Sequence, residues 1–305
     1  MEPKIRIVPI VAAPGTGNQL FQLAFAYYLS KSIPNSTVYH FSIPEIGIQA
    51  HPEYESAKSL TPEFKLALQD QGMAELLNFL DGRSNALIQT TALGMNQKYF
   101  AESRTYLQSL FPTNKVEHTP TNELFDKGNH FLCHIRGSDI WERYPMSIPG
   151  QRAPKGFLRR KNPIHPNYSA LPLSYYEEIQ ESSGKMPIFL CERANPTWYL
   201  NLIAERFGKE SIMLSGTVKE DFGKLQSAHE IALGISSFSW MASFLGNAEV
   251  IHLPIRGLFD SSLRNDLDLS MPGRNVLSYR FTPHEWSGNK KDRSWIEGGL
   301  TIRQN

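Results

Sequence analysis

The sequence predicts an α/β protein built as two lobes, and three observations carry that prediction. The chain is 305 residues long, whereas a single hydrophobic core seldom grows past roughly 250–300 residues, so two lobes of about 150 residues are the default. Its N-terminal stretch reads strand, glycine turn, helix, strand, which is one unit of an α/β lobe. Between residues 130 and 253, short apolar runs alternate with helical stretches, the signature of a second such lobe.

Residues 5–13 are rich in Ile, Val and Ala and read as a buried strand. Pro14-Gly15-Thr16-Gly17 is a turn. From Asn18, a candidate N-cap, the spacing is helical, with Leu20, Leu23, Ala24, Tyr27 and Tyr28 on one face. Lys31 suits the C-terminal end of that helix dipole. Residues 37–41 make a second short strand, 64–80 have helical spacing broken only by Gly72, and 87–91 read as a strand. Residues 107–111 close the first lobe, and 113–122, with Pro120, three Thr and two Asn, read as a linker.

The second lobe starts with a strand at 130–136. Residues 140–168 carry five prolines and the cations Arg143, Arg152, Lys155, Arg159, Arg160 and Lys161. They predict a long loop, functional or disordered, whose cationic part (143–161) would meet an anionic or phosphorylated substrate, cover a bound ligand as a lid, or simply be solvated. A helix over 174–181 is expected, capped by Ser174 with Glu177 completing a capping box. Then follow a strand at 187–191, a helix at 196–207 with Pro196 in its first turn, and a strand at 211–214. A helix at 222–232 leads into the short buried run 233–235, a helix at 236–245 and a last strand at 250–253. From Pro283 the chain turns polar. The expected division is therefore an N-terminal α/β lobe at 1–122, a C-terminal Rossmann-like lobe at 123–285 and a polar tail at 286–305.

Composition excludes several function classes. Lys plus Arg is 31 against 30 for Asp plus Glu, a net charge of +1, which argues against a nucleic-acid partner. The two cysteines, Cys133 and Cys191, lie in apolar strands, cannot form a disulfide scaffold and resemble no zinc site. They suit a reducing compartment. With no apolar leader at the N-terminus and no run of about 18 apolar residues, the expectation is a cytoplasmic protein with at most peripheral membrane contact.

Three places have residues that suit chemistry. In Gly15-Thr16-Gly17-Asn18-Gln19 the glycines let backbone approach a ligand, and the helix that follows offers N–H groups to an anion. The segment is neither a Walker loop nor G-x-G-x-x-G, so a tight turn with a capping Asn is the other reading. In His134-Ile135-Arg136-Gly137-Ser138-Asp139 an Arg at a strand end offers a planar fork to a phosphate, and Gly137 removes a Cβ that would crowd it. The alternative is an Arg paired with Asp139 and a His satisfied in the core. In Gly234-Ile235-Ser236-Ser237-Phe238-Ser239-Trp240 a buried strand runs into hydroxyls at a helix start, where they either hold phosphate oxygens or cap the helix. No hydrolase elbow, zinc-protease or kinase signature occurs. Asp266-Leu267-Asp268 lies in a polar stretch and reads as a solvated turn, which disfavours a manganese-dependent transferase.

Taken together, the three segments resemble α-1,2-fucosyltransferases. Residues Gly17-Asn18-Gln19-Leu20-Phe21-Gln22-Leu23-Ala24 are similar to that family's G-N-Q-x-F-Q-x-A. His134-Ile135-Arg136-Gly137-Ser138-Asp139 is similar to H-x-R-x-G-D with Ser138 inserted, and Ile235 to Ala242 is similar to S-N-S-S-F-S-W-W. Order and spacing match too, so the resemblance spans residues 10–255 of the chain. It implies a GT-B fold, two Rossmann-like lobes facing across a cleft, the first on the acceptor side and the second binding the donor. It also implies a metal-independent, inverting glycosyltransferase that needs no cofactor beyond its donor substrate, GDP-fucose. On that resemblance Arg136 grips the donor diphosphate with His134 beside it, and Ser236, Ser237 and Phe238 hold phosphate oxygens. Gly15, Gly17, Asn18 and Gln19 belong to the donor-facing turn of the first lobe. Where the family carries a Ser-Asp-Asp-like segment this chain has Cys191-Glu192-Arg193, Ile235 replaces an Asn, and Met241 replaces the second Trp.

Inversion needs a base for the acceptor proton, and Asp139 and Glu142 are the candidates, with Glu192 either a third or a contact to the nucleotide. The expected partners are a nucleotide sugar and a glycan or lipid-linked saccharide acceptor, which places the protein in polysaccharide biosynthesis. Two alternatives stand beside this: the same fold with another GDP- or UDP-linked sugar, and a non-catalytic nucleotide- or sugar-binding module.

Overall fold

The computed structural model describes residues 5–13, 15–67, 69–112, 128–137, 140–141, 168–192 and 195–304. The fold is α/β, with two sheets. The first is assembled from β1 (Ile5–Pro9), α1 (Thr16–Ser32), β2 (Ser36–Val38), α2 (Tyr54–Ser59), β3 (Phe64–Leu66), α3 (Gln69–Leu80), β4 (Ala86–Thr90), α4 (Gln97–Phe100) and α5 (Arg104–Ser109). Its four strands are parallel in the order β2-β1-β4-β3, with Ile7 opposite Ile88.

The second sheet takes β5 (His130–Ile135), α6 (Leu173–Ser183), β6 (Met186–Cys191), α7 (Thr197–Phe207), β7 (Ile212–Leu214), α8 (Val218–Ser227), β8 (Glu230–Ala232), α9 (Ser237–Leu245), β9 (Val250–Pro254), β10 (Val276–Phe281), α10 (Arg293–Gly298) and β11 (Thr301–Gln304). The sheet order is β11-β10-β9-β8-β5-β6-β7. Counted from β5, the first six strands follow the parallel order 3-2-1-4-5-6 of a doubly wound Rossmann sheet, and β11 closes one edge antiparallel. The winding direction reverses between β5 and β8, and in such sheets ligands bind outside the carboxyl ends of the strands at that point.

Several elements differ from expectation, each for a physical reason. Residues 64–80 are not one helix: 64–66 form β3, paired with β4, and the helix starts at Gln69. Helix α8 starts at Val218 because Thr217 and Glu220 make a capping box, the Thr217 Oγ1 accepting from Glu220 N at 3.2 Å, and 230–232 then pair as β8. Ser174 is not a cap. Helix α6 begins at Leu173 behind Pro172, the Ser174 hydroxyl donates to the Gly299 carbonyl, and Glu177 pairs with Arg206. Asn18 lies inside α1, whose N-cap is Gly15. Nor is β9 the last strand. The segment 286–304 contains α10 and β11, buries Trp295 and Ile296, and sets the Trp295 ring 4.6 Å beneath the Arg256 guanidinium.

Helix α1 has more than one buried face. Every residue from Leu20 to Ala26 is buried, because α1 covers its own sheet on one side and packs on α9 of the second on the other. The Phe21, Phe100, Trp240 and Phe244 rings interlock there, with Phe100 and Trp240 centroids 4.8 Å apart. One continuous core thus includes residues of both sheets. Among the described residues no helix is long and apolar enough to cross a membrane. The expected linker 113–122 and the cationic stretch 143–161 lie outside the described residues.

Candidate functional site

All three segments singled out in the sequence meet at the switch point of the second sheet. His134 and Arg136 stand at the carboxyl end of β5, and Gly234 to Ser236 lead from β8 into α9. Arg136 Nη1 donates to Ser236 Oγ across the reversal at 3.3 Å. The guanidinium lies over the Tyr168 ring, its Cζ 3.8 Å from the centroid. Ser236 is also the N-cap of α9, its Oγ accepting from Phe238 N at 3.2 Å. One serine oxygen thus both caps the helix and accepts from the Arg136 guanidinium. The Ser239 hydroxyl turns back to the Gly234 and Ser236 carbonyls, which takes it out of the site.

The glycine turn reaches this place from the other sheet. Gly15 has φ +98°, a conformation that side chains resist, and its Cβ position is open. Gly17 is buried, and a Cβ there would lie 2.5 Å from Phe238 N and closer still to the Ser237 carbonyl. Its missing side chain therefore serves an approach to the first turn of α9, not to open space. Asn18 and Gln19 follow half-buried on the first turn of α1. Gln22, fully buried, ties the loops after β1 and β4 together by donating from Nε2 to Ile10 O at 2.8 Å and Thr91 O at 3.3 Å. Sequence reading missed that clasp.

His134 is 5% exposed, and its ring sits 5.9 Å from that of Phe238. Burial, aided by the Arg136 charge, pulls its pKa down to about 3, so the imidazole is neutral at ordinary pH. Among the described residues its buried Nδ1 finds no hydrogen-bond partner. A small recess of about 10 Å³, room for about one water molecule, opens beside it, lined by Arg136, Ser169, Tyr176 and Tyr199 among others. The Tyr199 hydroxyl there is also buried, near Tyr176 but outside hydrogen-bond geometry. At Gly137 the described neighbours are side chains just beyond β6 of the same sheet. A Cβ at that position would meet Glu192 Cβ at 2.7 Å and Asn195 Nδ2 at 3.2 Å, so the glycine lets Glu192, at the end of β6, fold over the β5 turn. Asp139 and Glu142, the expected bases, lie outside the described residues. Asp266 is held by Arg264 at 2.7 Å, and Asp268 accepts from Ser270, so both carboxylates serve local turns.

Helix α9 is polarised toward the site. Its last carbonyls accept from Arg104 Nε (Phe244 O, 2.9 Å), Gln108 Nε2 (Leu245 O, 2.7 Å) and Arg274 Nη2 (Ala248 O, just beyond, 2.7 Å). Cations thus sit at its negative end while its positive end faces Arg136. A guanidinium fork and a helix N-terminus at a Rossmann switch point are groups that can donate hydrogen bonds to an anion.

The chain matches no protein-family model, no curated protein and no solved structure. Tyr168 and Ser169, which complete the site, carry no sequence signal, since nothing in the chain links position 168 to position 136.

Proposed function

We propose that the protein is a glycosyltransferase on a GT-B arrangement of its two α/β lobes, transferring fucose from GDP-fucose, with inversion, to a hydroxyl of a glycan or lipid-linked saccharide. The reading rests on one observation above all: Arg136 and the Ser236 cap of α9 stand 3.3 Å apart at the switch point, with the glycine turn of the other sheet packed against the same helix start. Those are the three segments that resemble the fucosyltransferases.

Glycosyl transfer runs through an oxocarbenium-like state while negative charge builds on the departing diphosphate. Arg136 would take that charge through its N–H edge, and the positive end of α9 would add to it. His134, neutral and buried, contributes a hydrogen-bonding group without competing charge. The 15–17 turn with Asn18 would face the sugar from the first sheet. Asp139 or Glu142 would take the acceptor proton, and pH–rate curves of Asp139→Asn and Glu142→Gln distinguish them.

A second reading keeps the site and changes the donor. Glu192 stands beside Gly137 where the family carries its Ser-Asp-Asp-like segment, so the nucleoside contacts differ. Thermal shifts with GDP-fucose, GDP, UDP and UDP-sugars separate the two, because a ligand stabilises the fold it binds in proportion to occupancy. Hydrolysis of the stabilising sugar nucleotide without acceptor separates an enzyme from a binding module. Arg136→Ala is expected to keep the fold and to lose roughly 10²–10³ in turnover. Near wild-type turnover in that variant, or no stabilisation by any nucleotide, overturns the proposal.

A further inference from the structure

We infer that Tyr168 is a positioning residue for anion binding: its ring sets the plane of the Arg136 guanidinium, so that the N–H edge is presented to a diphosphate before the ligand arrives. The inference rests on the site proposed above. Arginine carries two kinds of surface. Its flat face stacks on aromatic rings, and its edge carries the N–H donors that match phosphate oxygens. The two uses do not compete. Covering the face of a guanidinium therefore does not block hydrogen bonds made at its edge.

The geometry is of this kind. Arg136 Cζ lies 3.8 Å from the Tyr168 ring centroid, a stacking distance, while Nη1 reaches Ser236 Oγ at 3.3 Å. The ring fixes the guanidinium plane and the serine fixes its rotation within that plane. Together they point the edge toward the N-terminus of α9, whose C-terminal carbonyls are held by Arg104 and Arg274. Tyr168 is itself anchored. The next residue, Ser169, is buried and accepts from Arg256 Nε at 2.9 Å, and Arg256 also donates to His284 O at 2.6 Å and lies over Trp295. The residue next to the ring is thus tied, through Arg256, to the segment after β9 and to the C-terminal segment. A long side chain ordered in advance loses less freedom on binding, and that difference appears as affinity.

The test measures Kd for GDP and for inorganic pyrophosphate by calorimetry. Tyr168→Phe keeps the π face and should bind both as the wild type does. Tyr168→Leu removes it and should weaken both by about threefold to thirtyfold, the range expected of a partly desolvated cation–π contact. Should Tyr168→Leu fail to fold, phenylalanines of increasing fluorine content at position 168 decide the matter. Their shape is nearly constant while the ring's negative face fades, so affinity should fall stepwise with fluorination. A flat fluorine series, or a folded Tyr168→Leu that binds like the wild type, overturns this inference and leaves the proposed site standing. A wild-type chain that binds neither probe overturns both.

Discussion

At Gly17 two backbones from different sheets touch, and the position shows how a motif residue can serve packing. A methyl group there has nowhere to go, since its neighbours are the Ser237 carbonyl and the Phe238 nitrogen and not a flexible side chain. Gly17→Ala is expected to cost about 1–3 kcal/mol or more by overpacking, read as a drop in the denaturant midpoint. Gly15→Ala meets no atom of the described residues but forces φ +98° on an L-residue, costing about 1–2 kcal/mol. Equal, negligible effects of both substitutions would contradict this account. His134 carries a pH signature. Its folded pKa of about 3 lies below the unfolded 6.5, so the unfolded chain binds the proton first as pH falls. The stability that His134 contributes is complete above about pH 6.5 and is lost as pH falls toward 3. Chemical unfolding at stepped pH should show a shallower loss in His134→Gln than in the wild type, and parallel curves would refute the assignment.

Helix α9 is the element that makes the site. Its start faces Arg136, its body carries Trp240 into the aromatic cluster with Phe21 and Phe100, and its end is held by side chains from both sheets. Arg104, from α5, donates to Phe244 O and Gly246 O. Hydrogen bonds from a charged donor contribute about 1.5–3 kcal/mol, so Arg104→Ala should lower stability by that order. Arg104→Lys, which keeps the charge without the planar fork, should recover only part of it. Full recovery by Lys would show that charge at the helix end, not the fork, carries the effect. Such helix ends are only half legible. Ser236 reads as a cap from the sequence, whereas Ser174 and Glu177 match the same pattern and are claimed by Gly299 and Arg206, which are distant in the chain.

Across the whole molecule, one continuous core includes side chains from both sheets. The full chain is expected to unfold in a single calorimetric transition. A chain ending at residue 282 loses α10, β11 and the Trp295 face under Arg256, and should melt at a markedly lower temperature. Two resolved transitions in the full chain, or an unchanged melting temperature in the shortened one, would refute this. The polar look of residues 283–304 hides their role because only a few of them, Gly288, Asp292, Trp295, Ile296 and Gly299, are buried.

Local pattern sufficed for the α/β class, for most strands of the second sheet and for the three segments with chemical promise, because strand periodicity, glycine turns and serine caps are short-range properties. It did not suffice for strands whose status depends on a partner: 64–66 becomes a strand only beside β4, and 301–304 only beside β10. The site divides in the same way. Arg136, His134 and Ser236 are visible as residue types at element ends. Their convergence, the Tyr168 ring over Arg136, the Gln22 clasp and the neutrality of His134 exist only once the sheet reverses direction between β5 and β8 and brings distant residues together.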